Sequence, residues 1–328
     1  LRHRPAKSLF WEWQYGGLAR TGESCIEPLV ALVDDTVVGF NGVMAVRLWV
    51  DGSYLAGAWS CDFVVAESAR RSGIGRRIKH RLLESGRLLL VSGASDDAAW
   101  VHSSMDSDLS LDVQSFHRIV KPRRKRDRLL MIYQGIQGLL NSKAPQSRSR
   151  FYLEDTMPAP EELDALWARC EAGYLRVVVR DSIYLRWRYA EHPLARYRYL
   201  TARAPDGALD AVLVLREHES TAYIVDYVGP ATAASLKSGL VAAAVSRLRG
   251  AKSWVTFTSD RELCAALRAN RFYRTRAAHR FYVMASAEVR VTSADWFIMP
   301  GDSDGDMLRA ARDHVHCGSA HSGDYGHR

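Results

Sequence analysis

The stretch Trp59–Gly86, WSCDFVVAESARRSGIGRRIKHRLLESG, decides the fold. Ser60 to Val65 is a short apolar, β-branched run, which predicts a mostly buried strand. A turn packed with arginines follows, holding Gly73 and Gly75. Ile74, Ile78, Leu82 and Leu83 then recur at helical spacing, and Gly86 stands where a helix ends. The reading is strand, tight turn, helix.

The turn itself, Arg70-Arg71-Ser72-Gly73-Ile74-Gly75, fits (Q/R)-x-x-G-x-(G/A). Glycines let the backbone approach an anion, so that several N–H groups converge on it. The helix that starts there adds its N-terminal partial charge, and Arg70, Arg71, Arg76 and Arg77 add whole ones. In this order of elements the chain resembles the GNAT acyltransferase superfamily. The resemblance implies acetyl-CoA or another acyl-CoA as co-substrate. Its pyrophosphate would lie on Arg70, Arg71, Ser72, Gly73, Ile74, Gly75 and Arg76, and its pantetheine arm along Phe63, Val64 and Val65.

Around this unit the chain reads as a meander. Leu29 to Asp34 and Thr36 to Val50 are expected strands joined at Asp34-Asp35, Asp51-Gly52 marks a hairpin, and Tyr54 to Val65 returns. The family places a strand and one or two helices ahead of this meander, where about one helix fits here, around Phe10 to Tyr15. Either an N-terminal segment is missing or another part of the chain fills that edge. Leu88 to Ser92 is the next expected strand, which the resemblance makes parallel to the pantetheine strand and splayed from it. The family's tyrosine, the acid toward the departing thiolate, has no counterpart in Ser95 to His102. His102, Ser103 or a water is left to substitute.

The second half repeats the order of the first. Val225-Asp226-Tyr227-Val228-Gly229 matches Cys61-Asp62-Phe63-Val64-Val65, each before a helix and a short strand. Gly229 to Gly239 carries no arginine, so phosphate binding is not expected there. The fold expected is α/β of the α+β kind: two GNAT-like domains, each a mixed, mostly antiparallel sheet flanked by helices, the second degenerate. Residues 1–140 form the first, 141–150 a linker, 151–300 the second and 301–328 a loose tail. Its last strands are expected at Phe281 to Val291 and Trp296 to Met299.

Acyl transfer to an amine needs a proton acceptor, donors for an oxyanion and a proton or positive charge for the thiolate. A splayed-strand amide near Val64 or Val65 would supply the donor. Asp62, a charge inside an apolar strand, is the candidate base or amine anchor, where burial would raise its pKa; pairing with an arginine is the rival reading. Asp226 is the candidate acceptor-binding residue, against simple pairing with Arg186 or Arg188. Cys61 need not be a nucleophile and no metal is required. Glu67 and His80 read as surface residues, and His102 and His117 are open. His314, His316, Cys317, His321 and His327 cluster in the tail with metal-ligand spacing, which in a loose segment reads as incidental.

At 328 residues, with a net charge of +8, the chain is long enough for two cores and favours anionic partners. No nucleic-acid motif accompanies the charge, so no nucleic-acid partner is expected. Lys121 to Arg128, KPRRKRDR, reads as a solvated linker or strand end; an acidic acceptor, the CoA ribose phosphate or a membrane surface are its alternatives. No transmembrane run or signal peptide is visible, and five scattered cysteines suit the cytoplasm. The expected activity is therefore transfer of an acetyl or short acyl group to a small-molecule primary amine, an amino sugar by resemblance. A FemAB-like aminoacyl-tRNA-dependent transferase and a non-catalytic acyl-CoA-binding module are the alternatives. Oligomeric state does not follow from the sequence.

Overall fold

The computed structural model describes residues 4–16, 26–105, 107–140, 149–276, 279–286 and 291–303. The tail histidines and Cys317 lie outside them. In chain order the strands and helices are α1 (Arg4–Trp11), β1 (Leu29–Val33), β2 (Thr36–Val50), β3 (Ser53–Val65), α2 (Ile74–Leu83), β4 (Leu88–Ser92), α3 (Asp96–Ser103), β5 (Ser107–Ser110), β6 (Gln114–Ile119) and α4 (Lys125–Leu140). There follow β7 (Arg150–Glu154), α5 (Pro160–Cys170), β8 (Arg176–Val178), α6 (Ser182–Leu185), β9 (Tyr197–Arg203), β10 (Leu209–His218), β11 (Thr221–Val228) and α7 (Ala234–Arg247). The last are β12 (Ser253–Thr258), α8 (Arg261–Ala269), β13 (Tyr273–Arg274), β14 (Phe281–Met284) and β15 (Trp296–Phe297).

Both expected hairpins form as two-residue turns with φ positive at each position. Asp34 and Asp35 stand at 47° and 60°, Asp51 and Gly52 at 49° and 86°. That backbone matches the twist of the flanking strands, and aspartate tolerates it better than most side chains.

The strands form two sheets. One runs β15-β8-β2-β3-β4-β14-β5, with β1 also on β2; the other runs β13-β6-β12-β11-β10-β9-β7. Each contains the same unit: an antiparallel pair (β2–β3 or β10–β11), a crossing helix (α2 or α7) and a strand parallel to the second member (β4 or β12). The repeat expected from the sequence is present.

The cut expected at 141–150 does not separate the two sheets. β6, from the first half, lies antiparallel between β12 and β13 of the second sheet. β14, from the second half, lies antiparallel between β4 and β5 of the first. Each half therefore completes the other's sheet with one strand, and Phe116, Ile119, Phe281 and Val283 on the two exchanged strands are buried. β8 and β15 extend the edge of β2 at Leu48–Val50, while β1 covers its other end, so later chain fills the edge the N-terminal part leaves.

Three further expectations are corrected. Lys125–Arg128 open helix α4 rather than forming a linker, with the Asp127 carboxylate accepting the amides of Arg123 and Arg124 at 2.7 and 2.9 Å. The strand expected at Phe281 to Val291 ends at Met284. Gly301–Ser303 are core, not tail, because Asp302 is fully buried against Arg180 and takes the Met299 amide. Among the described residues no helix is long and apolar enough to cross a membrane.

Candidate active site

β3 pairs with β4 only at Gly57–Trp59 against Leu88–Leu90, then runs on to Val65 without it. The two strands open a wedge. Opposite it, the β2–β3 register slips between Phe40 and Gly42, and Asp62 takes a left-handed φ of 48°. Such bulges re-aim side chains and backbone near functional sites. Ala66 donates its amide to Val38 on β2 at 2.8 Å. By strand alternation the Val65 amide, one residue earlier, points the other way, into the wedge.

The turn after β3 holds its loop by local contacts. Ser72 donates to the Ala69 carbonyl at 2.7 Å, and Arg70 Nε to the Val65 carbonyl at 3.3 Å. Arg71 and Gly73 have φ of 65° and 82°. The first helical bond of α2 joins the Arg77 amide to the Gly73 carbonyl, so the amides of Ile74, Gly75 and Arg76 are those a helix start leaves unpaired. Around them Arg70, Arg71, Arg76 and Arg77 are exposed. Gly75 is packed: a Cβ there would stand 3.1 Å from Phe63 and 3.4 Å from Val101. Gly73 faces open space. The seven loop residues and Phe63–Val65 thus come together, with donors and charge suited to a phosphate diester.

Asp62 is exposed, contrary to the burial expected of it. It pairs with no arginine in the described structure; Tyr15 donates its hydroxyl to the carboxylate and Gln14 Nε2 lies at 3.4 Å. Both donors sit on a π-helical turn, Glu12–Gly16, that continues α1. Gly42 makes room for them, since a Cβ there would fall 2.1 Å from the Tyr15 oxygen. Trp13, on the same turn, exchanges indole-to-carbonyl bonds of 2.7 and 2.9 Å with Trp187 of the second half, which fixes where Tyr15 points. The aromatic run Phe10–Tyr15 predicts a helix here but carries no link to Asp62.

Beneath the wedge lies a second group that sequence reading missed. Lys79 of α2 is fully buried, donates to Ser60 Oγ at 2.5 Å and sits 4.4 Å over the Phe63 ring. Ser60 in turn donates to Asn41 at 3.0 Å. Burial pushes the Lys79 ammonium down to about 7. His102 of α3 is also fully buried, and neither ring nitrogen has a partner among the described residues. Burial first, then Lys79, lowers its pKa to about 3, which keeps the imidazole neutral. Ser60 is half-buried and is the first β3 residue past the last β3–β4 pair.

The other candidates separate from the wedge. Asp226 is fully buried, accepting from Arg180 Nε at 3.0 Å, the Tyr189 hydroxyl at 2.7 Å and the Tyr227 amide at 2.8 Å. It is a core carboxylate rather than a side chain an acceptor can reach, and its cation is Arg180, not Arg186 or Arg188. Glu67 and His80 are exposed, and His117 pairs with the Tyr273 hydroxyl at 3.0 Å. Cys61 is buried, its thiol toward the Trp59 carbonyl.

No protein-family model matches the chain, and no curated protein matches it. Solved structures do. It is similar to Saccharomyces cerevisiae N-myristoyltransferase with bound myristoyl-CoA (TM-score 0.54, 11% identity, 89% of this chain and 78% of that one). It is similar to a GCN5-related N-acetyltransferase from Anabaena variabilis (TM-score 0.54, 10% identity, 77% and 61%). A third is an Enterococcus faecalis protein described as a "probable N-acyltransferase" (TM-score 0.53, 10% identity, 76% and 60%). The chain spans less than two thirds of the last two. At these identities the likeness is one of fold: the chain has the GNAT fold.

Proposed function

We propose that the protein is a cytoplasmic N-acyltransferase that moves an acetyl or short acyl group from acyl-CoA to a primary amine, an amino sugar being the acceptor class that the GNAT resemblance implies. The observation that carries this reading is the wedge: β3 outlasts its pairing with β4 and runs straight into an arginine-lined turn with positive φ at Arg71 and Gly73. The amides at the start of α2 and the arginines around them suit the pyrophosphate, and the edge Phe63–Val65 suits the pantetheine amides.

In this reading the amine nitrogen attacks the thioester carbonyl carbon, the C–S bond breaks and the amine proton leaves. The Val65 amide is aimed to stabilise the oxyanion. Asp62, held by Tyr15, anchors the amine and accepts its proton. The thiolate takes its proton from Ser60 Oγ, whose O–H turns from Asn41 to the sulfur and is replaced by a proton from Lys79; an ammonium titrating near neutrality does this without a tyrosine. Neutral His102 keeps the base of the wedge free of a competing charge.

Calorimetry with acetyl-CoA and a medium-chain acyl-CoA tests the reading, wild type beside Gly73→Asp. That side chain enters open space but takes the left-handed backbone of Gly73 (φ 82°), which aspartate tolerates at a cost of about 1 kcal/mol, so a melt beside the titration checks the fold; its charge stands where the phosphate is expected. Binding weakened by about a hundredfold or more, some 2.7 kcal/mol, is the expected result. A folded wild type that binds neither thioester overturns the proposal.

A further inference from the structure

α4 turns more of its large apolar side chains outward than inward. Gln134 and Gly138 are the residues it buries. The Gln134 amide takes both backbone groups of Ile119, at 2.7 and 3.0 Å, and Gly138 lets the Arg271 side chain close in, where a Cβ would stand 2.7 Å from it. This face, flanked by the half-buried Leu130 and Met131, fixes the helix on β6. The opposite face carries Leu129, Ile132, Tyr133, Ile136, Leu139 and Leu140, all between 47% and 76% exposed. At about 100° per residue these six fall within an arc of roughly 120°. Six large apolar side chains in one outward stripe exceed the scattered exposure that surfaces tolerate.

Charge says what covers it. Lys121, Arg123, Arg124, Lys125, Arg126 and Arg128 are exposed at the N-terminal end of the same helix, and the one acid among them, Asp127, is spent on the Arg123 and Arg124 amides. An apolar stripe flanked by a dense basic cluster fits a surface that is anionic outside and apolar a few ångströms in. A second copy of α4 offers the basic cluster no acid: a parallel pair sets it against its own copy, and an antiparallel pair sets it against Gln137–Leu140, which carry no charge. We propose that α4 docks the protein on an anionic lipid bilayer, lying in the interface with its apolar stripe inserted and its basic end on the headgroups.

Vesicle co-sedimentation of the full chain decides this, using phosphatidylcholine alone and an equimolar mixture with phosphatidylglycerol. The protein is expected to pellet with the mixed vesicles and to stay in solution with phosphatidylcholine. Binding should fall steeply as salt rises from about 0.1 M to about 1 M and the Debye length shrinks from about 10 Å to about 3 Å. Ile132→Ser with Ile136→Ser should weaken it by about tenfold or more, and Arg124→Glu with Arg126→Glu by a similar factor. Both pairs are exposed, so an unchanged Tm is expected; if the serine pair melts early, Leu129→Gln with Leu139→Gln tests the same stripe. No pelleting with mixed vesicles overturns the proposal, as does pelleting that the apolar substitutions leave intact. A wild-type dimer that the serine pair converts to monomer in light scattering also overturns it, by assigning the stripe to a second copy.

Discussion

In the first half β3 parts from β4 after Trp59 and Leu90; in the second, β11 parts from β12 after Tyr223 and Val255. The aspartates on the parted strands read alike in sequence, yet Asp62 is exposed and Asp226 is fully buried. The difference is the segment Trp296–Ser303. It bonds to Ser259 just past β12, and its Asp302 shares Arg180 with Asp226 of β11. The helices diverge in the same way. The start of α7 presents the Ala233 amide to the Glu262 carboxylate at 2.6 Å, and its buried Lys237 pairs with Asp260 at 2.9 Å. At α2 the corresponding ground is arginine-rich, and its buried Lys79 meets a hydroxyl and a ring. One unit satisfies its buried charges internally; the other leaves its arginines exposed beside the start of α2.

The largest effect should come from breaking the closed unit. Arg180→Met leaves Asp226 and Asp302 buried without their shared cation, and should cost about 3–5 kcal/mol of unfolding free energy. Urea denaturation followed by tryptophan fluorescence measures it. A loss below about 1 kcal/mol would mean that the bridging segment is not what distinguishes this unit.

Lys79→Met probes the open unit, with the opposite sign. The folded ammonium titrates at about 7 and an unfolded lysine near 10.4, so between those values the unfolded chain holds the extra proton and stability rises with pH. Below about 7 both states are charged and the cost of burial is at its full size, on the order of 5 kcal/mol. Lys79→Met should therefore exceed wild type in stability most at pH 7 and below, with the difference fading toward pH 10. A difference that does not move with pH would show that the amine is not buried as a titrating group.

Much of this contrast was legible before the structure. The strand–turn–helix at 59–86, the two aspartate-bearing hairpins and the repeat all rest on local patterns, periodicity and positive-φ turns, which a sequence displays directly. The strand exchange does not: β6 and β14 are short, with buried residues that fit either sheet, and only long-range pairing selects the partner. Arg180 was missed for the same reason. Arg186 and Arg188 stand in a conspicuous aromatic-basic run, but Arg188 turns to the carbonyls of Gly301 and Ser303. Which face α4 turns inward depends on the Gln134 bond to Ile119, which periodicity does not carry.

Asp62→Asn should separate stability from activity. The side chain is exposed, so unfolding free energy should stay within about 0.5 kcal/mol of wild type. Transfer to amine, followed by thiol release from acyl-CoA, should fall about a hundredfold through loss of the proton acceptor. The equivalent Asp226→Asn should do the reverse, with stability lost through the Arg180 network. If both substitutions behave alike, the two units are not functionally distinct.

The smallest effect belongs to Tyr15→Phe. Its hydroxyl bonds to Asp62, and the turn that carries it is pinned by the Trp13–Trp187 pair, so removing the oxygen leaves the ring packed near Phe40 and the turn in place. The carboxylate then loses one neutral donor, a change of about 1 kcal/mol. The Tyr15 hydroxyl sits at Asp62 and Gly42, so acyl-CoA affinity should not change, while kcat/KM for the amine should drop about fivefold to tenfold. In the Asp62→Asn background the same substitution should have little further effect, because a positioning residue matters only through the group it positions. Full additivity would instead mean that Tyr15 meets the substrate itself, and would move the amine-binding end of the site from β3 onto the π-helical turn.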